Sequence, residues 1–262
     1  MRSTARWLET KRHRKRDYAP HLRSIQEAIS ITTDVGPESL SSVWASSPLQ
    51  QIREKISARR SASRKSAIPQ ASDGSWTLGE IMYLVCRILS PSIVIETGVG
   101  FGITSAYILQ AMEDNGTGVL HSIEFADLWF GYRESVGSAV DPSDRSHWRL
   151  HFGPSEAILP ALLGSIGGVD IFLHDSSHTY RDMLIEYSTI WPRLRPGGLL
   201  ISDDVDGCDA FIEFAEGRGS FAVVPQDTKR HLIGMLHKGW TKGHAMKRED
   251  MPFQAAVKTA IL

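Results

Sequence analysis

From Trp76 onward the chain switches repeatedly between two hydrophobic periods. In "TLGEIMYLVCRILSP", residues Leu78, Ile81, Met82, Val85, Ile88 and Leu89 recur at helical spacing until Pro91 stops the pattern. "SIVIET" (92–97) is a short unbroken apolar run, as expected of a strand covered on both faces, and glycines lead from it into the helical stretch "ITSAYILQAM". A second strand is predicted at "GVLHSIEF" (118–125). The third, "HWRLHFG" (147–153), leads into a helix at "PSEAILPALLG", where Pro154 suits the start. "VDIFLHD" (169–175) is the fourth, followed by the helix "YRDMLIEYSTIWPRL", which should end before "RPGG". "GLLISDDV" (198–205) is the fifth. "SFAVVP" and "HLIGMLHKG", with the turn signal "PQDTK" between them, read as two last strands with no helix to separate them.

This alternation predicts an α/β fold: a doubly wound, mostly parallel seven-stranded, Rossmann-like sheet with an antiparallel hairpin at one edge. Residues 31–74 read differently. Two Ser-rich segments, "SLSSVWASSP" and "RRSASRKSA", flank a short helical patch, "LQQIREKI", and low apolar content suggests linkers rather than core. The expected organisation is a basic, partly helical or flexible extension over 1–74, a catalytic domain over 75–240 and a tail over 241–262.

Charge divides along the same line. Residues 1–66 carry 14 Lys and Arg against 6 Asp and Glu, whereas the remainder carries 15 against 24. A basic arm in front of an acidic body could bind nucleic acid. Its basic stretches lack interleaved aromatics, which favours a solvated arm, one that could fold against its own acidic body or a second copy in a homo-oligomer. No apolar run reaches the eighteen or so residues of a membrane span. The start lacks the apolar segment of a secretory signal, and Cys86 and Cys208 form no metal spacing, so a cytoplasmic setting is expected.

Candidate chemistry gathers where the predicted strands end, as ligands do in such sheets. The first strand ends in "ETGVGFG", with glycines at 98, 100 and 102 that let the backbone turn tightly against a ligand. Glu124 closes the second strand, where a carboxylate can accept both hydroxyls of a ribose. The spacing is G-x-G-x-G, not the dinucleotide pattern, and Glu96 stands at the loop. A carboxylate there would repel a pyrophosphate but suits an ammonium, so a nucleoside bearing a cationic amino acid is implied.

Residues from about 75 to 238 therefore resemble the class I S-adenosylmethionine-dependent methyltransferases, whose cofactor loop is E/D-x-G-x-G-x-G. The resemblance implies that Glu96, Thr97, Gly98, Gly100 and Gly102 hold the methionine part. It implies that Glu124 takes the ribose and that Gly153 and Ser155, in "FGPS", flank the adenine. A simple helix cap explains Gly153 and Ser155 equally well.

Asp175 ends the fourth strand, and Asp203 and Asp204 end the fifth. If those strands are neighbours, three carboxylates converge, which without a cation would be repulsive. Oxygen ligands suit a hard divalent ion, Mg²⁺ or Mn²⁺. The arrangement resembles the metal-dependent small-molecule O-methyltransferases. Catechol O-methyltransferase has Asp-Asn at the second position, so Asp204 departs from it. Sugar O-methyltransferases of the macrocin type use Asp-Asp, and some place a His base three residues after the first Asp, matching "DSSH". The resemblance implies a small hydroxylated substrate such as a sugar, with Asp175 at the cofactor, metal and reacting hydroxyl, and His178 as base. A helix-start His bonded to backbone is the other reading of His178. His174, one residue before Asp175, should point to the opposite sheet face and be structural. Cys208 reads as a packed residue, and "DLWFGY" (127–132) as either pocket wall or helix packing.

Two other activities fit parts of this pattern. An oxygenase resembling cephalosporin hydroxylase could hold iron on His178 and Asp175, but it needs a second histidine at the site and none ends the fifth strand. A nucleic-acid methyltransferase could use the basic arm, yet no Asn-Pro-Pro-Tyr-like or cysteine nucleophile motif is present.

Overall fold

Strands β1 (Ile93–Thr97), β2 (Val119–Glu124), β3 (Trp148–Phe152), β4 (Val169–His174), β5 (Leu194–Ser202), β6 (Phe221–Pro225) and β7 (Leu232–His237) form one sheet in the order β3-β2-β1-β4-β5-β7-β6. The structure is a computed structural model that describes residues 16–62, 75–125, 132–227 and 231–239. The basic stretch 1–15, most of the second Ser-rich segment, five residues of "DLWFGY" and the tail lie outside those ranges. The pairings among β1 to β5 are parallel, while β7 runs antiparallel to both β5 and β6. The edge hairpin therefore forms as the pattern predicts.

Side chains alternate across the sheet as the pleat requires. Val94, Ile171, Leu173, Leu199 and Ile201 face the helices Trp76–Leu89 and Ile103–Asn115. Ile95, Phe172 and Leu200 face the helices Ser155–Ser165, Tyr180–Ile190 and Ala210–Ala215. Ser75 caps the first of these helices by accepting from the Leu78 amide, and Ser90 closes it in the left-handed conformation.

The linker reading of residues 39–48 does not hold. A helix spans Pro37–Ser46, and another runs over Leu49–Ala62, longer than the patch the sequence suggests. Pro37 sits at the helix start, where its missing N–H costs nothing. Ser41 and Ser46 donate to the carbonyls of Pro37 and Ser42 four residues back, so the serines are absorbed by the helix they would be expected to interrupt. Leu40, Ile52 and Ile56 are buried together with Ile29 against the sheet's helical layer. Few apolar residues are present here, but those few fall on one face.

The boundary between the helix Tyr180–Ile190 and β5 also differs from the expected one. The helix ends at Ile190, and β5 begins at Leu194, running through Pro196, Gly197 and Gly198. A register shift between Val169 and Ile171 lets that segment join the ladder, with Gly197 N–H donating to Lys238 O.

Strand order reverses at β1, which lies between β2 and β4. Asp175 N–H donates to Thr97 O at 2.8 Å and Asp203 N–H to His174 O at 2.8 Å, so the ends of β1, β4 and β5 stand side by side. A doubly wound sheet gathers its ligands at such an edge.

Candidate active site

The glycine loop is pressed against the loop that follows β4. Gly98 adopts φ +82°, and a Cβ there would lie 1.8 Å from Asp175 O. Gly102, at φ +88°, would place a Cβ 2.8 Å from Gly137 Cα. Any other residue at either position must move backbone, so glycine is demanded by both conformation and space. Gly98 N–H donates to Ile123 O, which joins the loop to β2.

Glu124, 6% exposed, accepts through Oε2 from the amides of Val99 at 2.8 Å and Gly100 at 2.9 Å. The acid therefore orders the loop from the end of β2, with its carboxylate on the loop side. Tyr132, the last residue of the aromatic stretch, is buried beside it; burial and then the Glu124 charge push its phenol up to about 12. Glu96 is placed otherwise. It is 1% exposed and accepts from Ser105 Oγ and Ser122 Oγ, both at 2.7 Å. Burial pushes its carboxyl up to about 7, against the two hydroxyl hydrogen bonds, which pull down. Glu96 thus ties the helix after the loop to β2 from inside the core.

Gly153 N–H donates to Glu124 O, and Ser155 Oγ donates to Glu186. Ser155 opens its helix without making a side-chain cap; Pro154 occupies the cap position.

Asp175, His178 and Asp203 converge: each offers one ligand atom, and these atoms lie within 4.8 Å of one another. Asp203 is fully buried, whereas Asp175 and His178 are partly exposed. Asp204 reaches the cluster from the other side. Its Oδ2 lies 3.4 Å from His178 Nδ1, while Asp175 Oδ1 lies 3.8 Å from His178 Nε2. Asp204 takes φ +48°, a left-handed turn that aspartate tolerates and that directs the two adjacent acids differently. Gln226, buried just after β6, donates through Nε2 to Asp203 Oδ1 at 2.6 Å and to Asp204 Oδ1 at 3.1 Å.

His174 is fully buried, with Nδ1 2.6 Å from Glu186 Oε2. Among the described residues the cluster holds one imidazole, since His174 turns to Glu186 instead. Burial alone would push the Glu186 carboxyl up. His174 beside it, with hydrogen bonds from His174, Ser155 and Thr97, holds it below the usual carboxylate range.

Neither Gln226 nor Glu186 stands out in a first reading. Glu186 did leave a signal: Met183, Glu186, Tyr187 and Ile190 recur at the spacing of a core-facing helix stripe, and an acid in such a stripe demands partners. Gln226 left none, because its partners lie 22 and 23 residues away.

Comparison with known proteins agrees with this geometry. Residues 95–205 match the family described as a methyltransferase domain, a stretch that begins in β1 and ends just past Asp204. A curated relative, 8-demethyl-8-alpha-L-rhamnosyl tetracenomycin-C 2'-O-methyltransferase of Streptomyces olivaceus, is 34% identical over 86 residues. That match covers 30% of this chain and spans only 23% of the relative's own length. Among solved structures, the O-methyltransferase TomG from Streptomyces achromogenes, in complex with SAM, superposes with a TM-score of 0.58 at 20% identity, covering 71% of this chain and 90% of that one. The O-methyltransferase from Bacillus cereus in complex with SAH gives 0.55 at 16% identity, covering 71% and 89%. The fold is that of the class I methyltransferases.

Proposed function

We propose that this chain is an S-adenosylmethionine-dependent O-methyltransferase that uses a divalent cation and acts on a hydroxyl of a small natural product or sugar. The observation that carries the reading is the contact between the two loops. The glycine loop packs on Asp175 itself, so a cofactor held by that loop would adjoin the cluster of Asp175, His178 and Asp203. The matched domain, and relatives whose names specify O-methylation, support the same reading.

The donor set fits a cation. The carboxylates of Asp175 and Asp203, which meet beside His178 with ligand atoms within 4.8 Å of one another, are hard oxygen donors that suit Mg²⁺ or Mn²⁺. Asp175 and Asp203 would hold the ion, with Asp204 completing the acidic wall under the Gln226 carboxamide. When bound, the ion supplies a lowered hydroxyl pKa and a fixed oxygen position. The remaining work belongs to the protein. The loop Gly98–Gly102 and Glu124 orient the donor through backbone and carboxylate. His178, partly exposed beside Asp175, would receive the proton that the acceptor hydroxyl loses when it is methylated, with S-adenosylhomocysteine as the product that leaves. Asp204 Oδ2, 3.4 Å from Nδ1, favours the tautomer with its proton on Nδ1, which makes Nε2 the proton-accepting nitrogen.

Calorimetry tests the reading directly. The expected result is binding of S-adenosylmethionine but not NAD, and methyl transfer to a hydroxylated acceptor that EDTA abolishes and Mg²⁺ or Mn²⁺ restores. Transfer undiminished in EDTA would remove the metal from the mechanism, and binding of NAD in its place would remove the methyl donor.

A further inference from the structure

A single buried carboxylate joins the ends of β1 and β4 to the helix that follows β3. Glu186 is 2% exposed, on the helix Tyr180–Ile190 that follows the cluster. Its Oε2 accepts from Thr97 Oγ1 at 2.6 Å and faces His174 Nδ1 at 2.6 Å. Its Oε1 accepts from Ser155 Oγ and, at 3.0 Å, from Ser176 Oγ. A carboxylate has about four acceptor sites, so its capacity is used up.

The identity of the four donors matters more than their number. Thr97 is the last residue of β1, immediately before Gly98. His174 is the last residue of β4, immediately before Asp175, and Ser176 immediately follows Asp175. Ser155 opens the helix after β3. Offsetting the cost of burying a carboxylate requires donors, but any nearby hydroxyls would serve. Here Thr97 directly precedes the glycine loop and His174 and Ser176 flank Asp175, at 89, 12 and 10 residues from Glu186.

We propose that Glu186 is a positioning residue that couples the glycine loop to the acidic cluster, so that a ligand on one loop sets the geometry of the other. The proposal rests on the functional reading above. A shift of Thr97 as the glycine loop closes on a ligand moves the shared carboxylate, and with it Ser176 and the backbone that carries Asp175. Bonds that share one buried carboxylate polarise and constrain one another, which gives such a coupling its physical route. The backbone bond from Asp175 N–H to Thr97 O survives any side-chain change and sets the baseline.

The test measures reciprocity between two ligands on the full chain. Mn²⁺ affinity is read from the electron paramagnetic resonance of free Mn²⁺, with and without saturating S-adenosylhomocysteine. In the unaltered protein the cofactor product is expected to tighten Mn²⁺ binding by about fivefold or more, the lower end of ordinary coupling between sites. Glu186→Gln sets an NH₂ group against donors, and Ser176→Ala removes only the arm that reaches the cluster loop. In both the ratio is expected to fall below about twofold, while each ligand still binds alone. A folded variant, checked by circular dichroism, that keeps the original ratio would overturn the coupling role, as would a ratio of one in the unaltered protein. Should Glu186→Gln fail to fold, Ser176→Ala decides. Failure of the unaltered chain to bind either ligand would instead overturn the functional reading.

Discussion

His178 has a carboxylate near each nitrogen, and a nitrogen that binds a cation cannot simultaneously collect a proton. Its Nδ1 side faces Asp204 at 3.4 Å and its Nε2 side Asp175 at 3.8 Å. As a base, its loss removes proton transfer but leaves the carboxylate ligands. His178→Ala is therefore expected to lower turnover about 10²-fold or more while Mn²⁺ affinity stays nearly unchanged. Equal collapse of both quantities would make the imidazole a ligand. Glu96 carries a second residue-level expectation. Burial raises its carboxyl to about 7 in the fold, above its ordinary value, so the protonated form favours the folded chain. Its contribution to stability is complete below its unfolded pKa and is lost as pH rises through about 7. The melting temperature should decline between about pH 4.5 and 7, and Glu96→Gln, which stays neutral, should remove part of that decline. A variant that melts with the same pH dependence as the parent would refute this assignment.

At the scale of elements, most of the strands and helices were legible because their apolar residues repeat within ten positions. The Ser-rich segment departs from the linker expectation for an identifiable reason: its composition is polar, yet Leu40 is buried in the same core as Ile52 and Ile56 of the next helix. If those helices are part of the core rather than a loose strap, Leu40→Ala should cost about 2–5 kcal/mol, the range for deleting a large buried aliphatic side chain. Chemical denaturation of the two proteins measures it, and a change under about 0.5 kcal/mol, as for an exposed site, would return the segment to the linker class. The end of the helix after β4 was misplaced because Pro196 and two glycines read as a turn, whereas a register shift admits them to β5.

For the whole molecule, the decisive feature is the sheet order. It sets β1 between β2 and β4, and with that the glycine loop against the acid loop. The acids were legible as candidates because each closes an apolar run, and the DSSH spacing brought His178 with them. Their convergence was only conditional on strands four and five being neighbours, which the parallel pairing of β4 with β5 supplies. The residues that hold them were not legible: Gln226 over Asp203 and Asp204, and Glu186 beneath Thr97, His174, Ser155 and Ser176.

Local periodicity in the chain by itself determined the class of fold, the run of strands and the candidate ligands, because neighbouring residues must agree on which face is dry. Tertiary structure alone decided that Asp204 turns aside from Asp203, that Glu96 faces inward, and that one carboxylate ties the ends of β1 and β4 to the helix after β3. Those are hydrogen bonds between positions up to 89 residues apart. They exist only once the sheet has brought its ends into register, and no short-range pattern carries that information.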